Sequence, residues 1–142
     1  MDSTIIFPNN LFENKNNLDK NSKIFIFQDP LFFSDFKYHV KFNKKKILMH
    51  LMSTEDYFNN LKSLGYNAEL VPFYDLKGSN YVEEFIEKNN ITNLNIYEII
   101  DFELKKRFIS ASNNLNVNVN WLNNPMFLLN SDEVKNEFLG RK

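Results

Sequence analysis

The residues able to carry chemistry are two histidines, a few isolated serines, adjacent acid pairs and two short basic runs. His39 and His50 lie eleven apart with no third donor in a ligand spacing, so they do not read as a metal site. His50 falls inside a helical pattern, where it reads as a structural or interface histidine rather than a catalyst. Ser53, Ser110 and Ser112 lack the surrounding pattern that activates a hydroxyl. Glu83-Glu84 and Asp132-Glu133 sit where first-turn acids complement a helix dipole. With glycine only at 65, 78 and 140, there is neither a dinucleotide fingerprint nor a phosphate-cradling loop. The absence of cysteine removes disulfides, thiol nucleophiles and the usual ligands of an iron-sulfur cluster. No residue is assigned a catalytic role.

Two features point to binding instead. Lys44-Lys45-Lys46 and Lys105-Lys106-Arg107 are either solvated helix faces or a docking surface for DNA or a partner domain. A net charge of -1 supplies no field that would hold a nucleic acid without such a local patch. Phe32, Phe33, Phe36 and Tyr38 crowd a segment outside regular structure. They form either a lid over the core or a wall that stacks on a planar ligand or packs against another domain.

The elements that must position these groups alternate between strand and helix, the pattern of a parallel sheet with crossover helices. Thr4 to Phe7, Lys23 to Phe27, Glu69 to Phe73, Asn93 to Tyr97 and Val117 to Trp121 read as five strands. The last alternates Asn with apolar residues, as expected of an edge strand with one wet face. Lys44 to Leu64 carries Ile47, Leu48, Leu51, Met52, Phe58, Leu61 and Leu64 at helical steps, stopped by Gly65. Ser53-Thr54-Glu55 would also suit the start of a shorter helix, but one long helix is preferred. Asn80 with Glu83 reads as a capping box for a helix burying Val82, Phe85 and Ile86. Asp101 to Ser112 is a helix with Leu104, Phe108 and Ala111 on one face and a Glu103–Arg107 pair across one turn. Ser131 is expected to cap a last helix through Leu139.

The 142 residues have room for one ordinary domain, and 43% hydrophobic with 15% aromatic content specifies a folded one. The predicted fold is α/β: a Rossmann-like, doubly wound, mostly parallel five-stranded sheet with helices on both faces. Its ligand edge lies at the carboxyl ends of the strands, formed by Pro8-Asn9-Asn10, by Gln28 to Phe33 and by the loop after Tyr97. Lacking a signal-peptide core or a long apolar span, the chain reads as cytoplasmic and free of membrane.

Several stretches, in order and along nearly the whole chain, resemble the front domain of photolyase-related proteins of the prokaryotic 6-4 photolyase and cryptochrome-like kind. They are Ile5-Ile6-Phe7-Pro8-Asn9-Asn10-Leu11-Phe12-Glu13, Gln28-Asp29-Pro30-Leu31-Phe32-Phe33, Lys44-Lys45-Lys46-Ile47 with His50 and Ser53, and Leu64-Gly65-Tyr66. Asp101-Phe102-Glu103-Leu104-Lys105-Lys106-Arg107-Phe108, Asn124-Pro125-Met126-Phe127-Leu128 and Gly140-Arg141-Lys142 continue the series.

The resemblance implies a light-driven DNA repair or light-sensing flavoprotein whose FAD and iron-sulfur cluster belong to a C-terminal helical domain absent from these 142 residues. Gly140-Arg141-Lys142 resembles the entry to that domain, which is the expected partner, on the same or a separate chain. DNA is expected to be met only through the complete protein. The front domain can hold an antenna chromophore, a ribityllumazine, and the corresponding pocket here comprises Asn9, Asn10, Asp29, Phe32 and Asn43. Pro8-Asn9-Asn10-Leu11 replaces the family's Gly-Asp-Gln-Leu, so an amide stands where an acid contacts the antenna. Phe32 stands near another antenna carboxylate, Asn43 where a histidine is usual and Leu51 where an arginine is frequent. A surface around Phe127 and Phe138 is expected to pack on the helical domain. The alternative is a stand-alone α/β interaction or small-ligand-binding module; a nucleotide enzyme is disfavoured by the missing glycine loops.

Overall fold

The structure, a computed structural model, describes residues 1–129 and 131–139. Gly140-Arg141-Lys142 and the side chain of Ser131, with its expected cap, lie outside the described residues. Five strands, β1 (Asp2–Ile6), β2 (Lys23–Phe27), β3 (Ala68–Val71), β4 (Asn93–Tyr97) and β5 (Asn118–Leu122), form one sheet ordered β3-β2-β1-β4-β5. Every pairing is parallel. The helices are α1 (Lys44–Ser63), α2 (Tyr81–Lys88), α3 (Phe102–Leu115) and α4 (Ser131–Phe138). β2 and β4 have the expected bounds, while β1, β3 and β5 are displaced by one or two residues.

Strand composition dictates strand position. β1 and β2 are buried on both faces beyond their first residues and lie inside the sheet, where both faces are covered. On one face, Ile6, Ile24 and Ile26 are buried under Tyr57 and Leu61 of α1 and Leu18 of the β1–β2 connection. On the other, Ile5, Phe7, Phe25, Phe27, Leu94 and Ile96 lie under Phe85 and Ile86 of α2 and Leu104 and Phe108 of α3. Edge-to-face ring pairs link Phe7, Phe27, Phe85 and Phe108 at 4.9 to 6.1 Å, a geometry that adds to plain area burial. β5 is one of the two edge strands, its Asn120 amide donating to Asn95 on β4 at 2.9 Å.

Three helices end alike. Gly65, Asn90 and Asn116 take left-handed φ angles of 81°, 50° and 53° just past α1, α2 and α3. In each, the next residue's N–H reaches back a full turn, Tyr66 to Leu61, Ile91 to Ile86 and Val117 to Ser112. This is the Schellman arrangement, with asparagine doing the work of glycine at two of three sites in a glycine-poor chain.

α1 is one long helix, started by Asn43, whose Oδ1 accepts from the Lys45 N–H at 2.8 Å. Its two sides differ: His50, Thr54, Tyr57 and Leu61 are buried, whereas the apolar Leu48, Met49 and Met52 face outward. The expected capping box on α2 does not form. Asn80 Oδ1 accepts from Ser79 Oγ instead, and the Asn80 backbone (φ −104°, ψ 20°) is not extended as a cap requires. The expected Glu103–Arg107 pair is likewise replaced, because Arg107 turns to Asp35, a carboxylate far more deeply buried than Glu103.

Candidate functional site

The sheet order changes direction at β1, so the connections after β1 and β4 diverge to opposite faces and leave a crevice at their carboxyl ends. The β1–β2 connection has no helix and folds across this crevice. Phe12 lays its ring edge against Tyr97 at 5.0 Å, and the Phe12 carbonyl accepts from the Tyr57 hydroxyl at 3.0 Å.

Beside the crevice lies a buried polar chain that the sequence did not announce. Asp29 is fully buried, caps the 3₁₀ turn Pro30–Phe32 by accepting from the Leu31 N–H at 3.0 Å, and accepts from the Tyr81 hydroxyl at 2.6 Å. Arg107 of α3 donates to Tyr81 at 3.4 Å and grips Asp35 through both terminal nitrogens at 2.6 and 3.0 Å. The backbone N–H groups of Lys37 and Tyr38 also donate to Asp35. Burial pushes the Asp29 carboxyl up to about 6, against the opposing pull of Tyr81 and Leu31. Burial also works against an ionised Asp35, but the hydrogen bonds from Arg107 and the backbone hold it below the usual range. Tyr81 is pushed up by burial and by the Asp29 charge. The chain ties the 29–38 segment to α2 and α3, with the Arg107 guanidinium over the Phe36 ring at 4.9 Å. The first part of the aromatic segment covers the core, whereas Phe36 is 40% exposed and Tyr38 lines an open cavity. Phe33 is buried and stacked on Phe73 at 4.7 Å, and Leu31 and Phe32 pack onto the larger apolar cluster.

A second group sits between the sheet edge and α1. Gln28 donates to Thr54 Oγ1 at 2.8 Å, and Thr54 donates to the His50 carbonyl at 2.7 Å. His50 lies edge-on to Phe32 and Phe33 at 5.6 and 5.9 Å, and its buried Nε2 has no partner. Burial, helped by the Lys46 charge, depresses its pKa, so the imidazole is neutral. Asn10 is 2% exposed and its Nδ2 is also unpartnered, although its backbone N–H donates to Phe7 and its carbonyl accepts from Phe12. A buried donor without an acceptor is costly, and a site that meets a ligand is one setting in which it persists.

Of the expected pocket residues, Asp29 and Phe32 share one turn, and Phe32 touches His50. Asn9 is exposed, Asn10 is buried after β1, and Asn43 is spent on capping α1. Two open cavities border the same edge. One of about 330 Å³ is lined by Leu31, Asp35, Tyr38, Val40, Phe42, Asp101, Phe102 and Glu103. The other, of about 520 Å³, is walled by Ile99, Ile100, Phe102, Phe127, Leu129 and Val134, with Lys105 and Lys135 at its margin. Phe102, 76% exposed at the first turn of α3, is a wall of both. Asp35, Tyr81 and Arg107 were missed as a unit because 72 positions separate Asp35 from Arg107. The basic run and the aromatic segment were each visible, but their junction was not. Among the described residues, no helix is long and apolar enough to cross a membrane.

Parallel strands in this order, with one helix on the first face and two on the second, define a doubly wound, Rossmann-like α/β domain with its open edge lined by aromatics. The sequence matches the family described as deoxyribodipyrimidine photo-lyase-related protein over residues 4–142, and the chain belongs to that family. It is also 30% identical over 143 residues to "Uncharacterized protein R852" of Acanthamoeba polyphaga mimivirus, a match covering 97% of this chain and 71% of that protein.

Proposed function

We propose that this chain is the front domain of a photolyase-related flavoprotein of the prokaryotic 6-4 photolyase and cryptochrome-like kind, acting in light-driven DNA repair or light sensing. The observation that carries this reading is the family match over residues 4–142. The chain does no repair chemistry itself; FAD and an iron-sulfur cluster belong to a helical partner domain, and DNA is engaged only by the assembly. If 143 residues are 71% of the viral relative, that protein has about 200 residues and about 60 outside the match.

The surface offered to that domain is the apolar margin of the larger cavity, where Phe102 and Phe127 are more than half exposed, together with the exposed Phe138 and Leu139 at the end of α4. Contiguous exposed apolar residues of this extent mark contact sites. Purification of the protein from its source tests the reading. A complex with flavin absorbance supports it, and a colourless, unassociated chain refutes it. Phe102→Asp is expected to leave the isolated domain's stability within about 0.5 kcal/mol of wild type and to release the flavin-bearing partner.

The antenna proposal rests on Asn10, which follows β1, and on His50, which lies edge-on to Phe32, each holding a buried nitrogen without a partner. Asn10 Nδ2 would donate to a carbonyl or ribityl oxygen of a ribityllumazine and Phe32 would lie against its ring, while the Asp29 carboxylate and the Asn43 side chain are engaged internally. The bound group would supply light absorption and energy transfer to the flavin. Titration of the purified chain with 6,7-dimethyl-8-ribityllumazine, followed by fluorescence polarisation, checks this. Binding that is lost in Asn10→Ala supports the pocket, and no binding overturns it.

A further inference from the structure

The outer side of α1 carries an apolar stripe that stays exposed among the described residues. Leu48, Met49 and Met52 are 56%, 56% and 61% exposed on the side opposite His50, Thr54, Tyr57 and Leu61. A surface helix normally turns polar residues outward, so an apolar stripe on both sides is unexpected for a helix with only one buried face. Along that outer line run Lys45, Met49, Met52 and Asp56, at steps of four, three and four, with Leu48 beside them. This spacing keeps one seam facing a partner helix in coiled-coil packing.

The charges at the two ends are of opposite sign. Lys44 and Lys45 precede the apolar stripe, Glu55 and Asp56 follow it, and all four are exposed. Among the described residues, none of these four enters an ion pair. If a second α1 is laid antiparallel on the first about a two-fold axis, Met49 meets Met52 of the other copy. Lys45 then meets Asp56 of the other copy at both ends of the seam. A parallel pairing would instead set lysine against lysine and aspartate against aspartate, a repulsion that selects against it.

We propose that two copies of this chain associate through the outer faces of their α1 helices, antiparallel, with Met49 and Met52 at the centre and Lys45–Asp56 ion pairs at each end. One helix per copy makes an interface below the roughly 1,200 Å² of standard complexes, so the pairing is weak and reversible. Its expected dissociation constant is on the order of tens to hundreds of micromolar.

Sedimentation of the full chain from about 5 μM to about 1 mM is the test, the mass rising from 16.9 kDa towards twice that value. Lys45→Glu and Asp56→Lys are each expected to weaken association about tenfold, and the two together in one chain to restore it, since the exchanged charges again face opposite signs. Because the chain has no cysteine, Met49→Cys and Met52→Cys introduce unique thiols. Mixed, the two variants are expected to form a disulfide faster than either alone. A monomer at all concentrations, a dimer indifferent to Met52→Lys, or a charge exchange without recovery would each overturn the proposal. So would protection of α1 from hydrogen exchange only when another polypeptide is added, since the stripe would then belong to that partner.

Discussion

Asp29→Asn separates the buried carboxylate's charge from its shape. In the folded protein burial raises the Asp29 carboxyl from 3.8 to about 6, so the native state holds a proton that the unfolded chain has already released. Stability linked to Asp29 is therefore fully present at about pH 4 and below, and is lost as pH rises through about 6. The difference of roughly 2 pH units corresponds to about 3 kcal/mol. Tyr81 from α2, Arg107 from α3 and Asp35 from the covering segment all face this carboxylate and remain in the variant. An asparagine Oδ1 can still accept from the Leu31 N–H and its Nδ2 can donate to Tyr81. The exchange of Tyr81 from donor to acceptor costs about 1 kcal/mol at any pH. The variant should thus be slightly less stable than wild type at about pH 4 and about 2 kcal/mol more stable near pH 7.5.

Urea denaturation of both proteins across this range reads the effect, because a change of about 3 kcal/mol moves the midpoint by about 1.5 to 2 M at slopes usual for small domains. Other titrations act in the opposite direction. Asp35 and Glu103 are held below their ordinary range and lose their contribution as pH falls, and neutral buried His50 gains stability as pH rises towards its ordinary value. These contributions are common to both proteins and cancel in the difference. A stability difference that stays flat from about pH 4 to about pH 7.5 would show that the Asp29 carboxyl titrates normally and that the buried chain is organised in another way.

Arg107→Leu should destabilise the domain by about 3 kcal/mol in the same assay, since Asp35 keeps a buried charge without its two-pronged partner. Adding Asp35→Asn should recover a large part of that loss, and fully additive effects would refute the pairing. At Asn116, replacement by Gly should change stability by only a few tenths of a kcal/mol, whereas Val should cost about 1 to 2 kcal/mol, because the left-handed conformation there forbids a branched side chain. Equal effects of Gly and Val, read by thermal unfolding, would rule out a left-handed cap.

What could be read from the sequence was set by how local the physics is. β2 had the expected bounds because a strand covered on both faces announces itself as a continuous apolar run, here Ile24 to Phe27, and β4 because Leu94, Ile96 and Tyr97 stand out between asparagines. α1 also appeared as one long helix, since apolar residues at helical steps run up to Gly65, which ends it. Which side of α1 would be buried could not be read, because apolar residues occur on both sides and only the sheet decides between Leu61 and Met52. Similarly, Glu103 is a locally sensible partner for Arg107, worth a few tenths of a kcal/mol across a turn. Asp35 wins because covering the core buries its carboxylate, and an ionised group in that position requires a cation far more than an exposed glutamate does.

The same reasoning distinguishes the two kinds of unfinished surface on this domain. Asn10 and His50 are unfinished inward: each holds a buried nitrogen without a partner, a defect that a small polar ligand can repair at the sheet edge. Phe102 and the α1 stripe are unfinished outward, with apolar area in water that only a macromolecular surface is large enough to cover. The buried Asp29–Tyr81–Arg107–Asp35 chain is complete in itself. It fixes the 29–38 segment whether or not any partner is present. A ligand at Asn10 and a protein at Phe102 would therefore meet a pre-formed edge and bind with little reordering, so their affinities should respond to contact residues and hardly at all to substitutions in the buried chain that leave the fold intact.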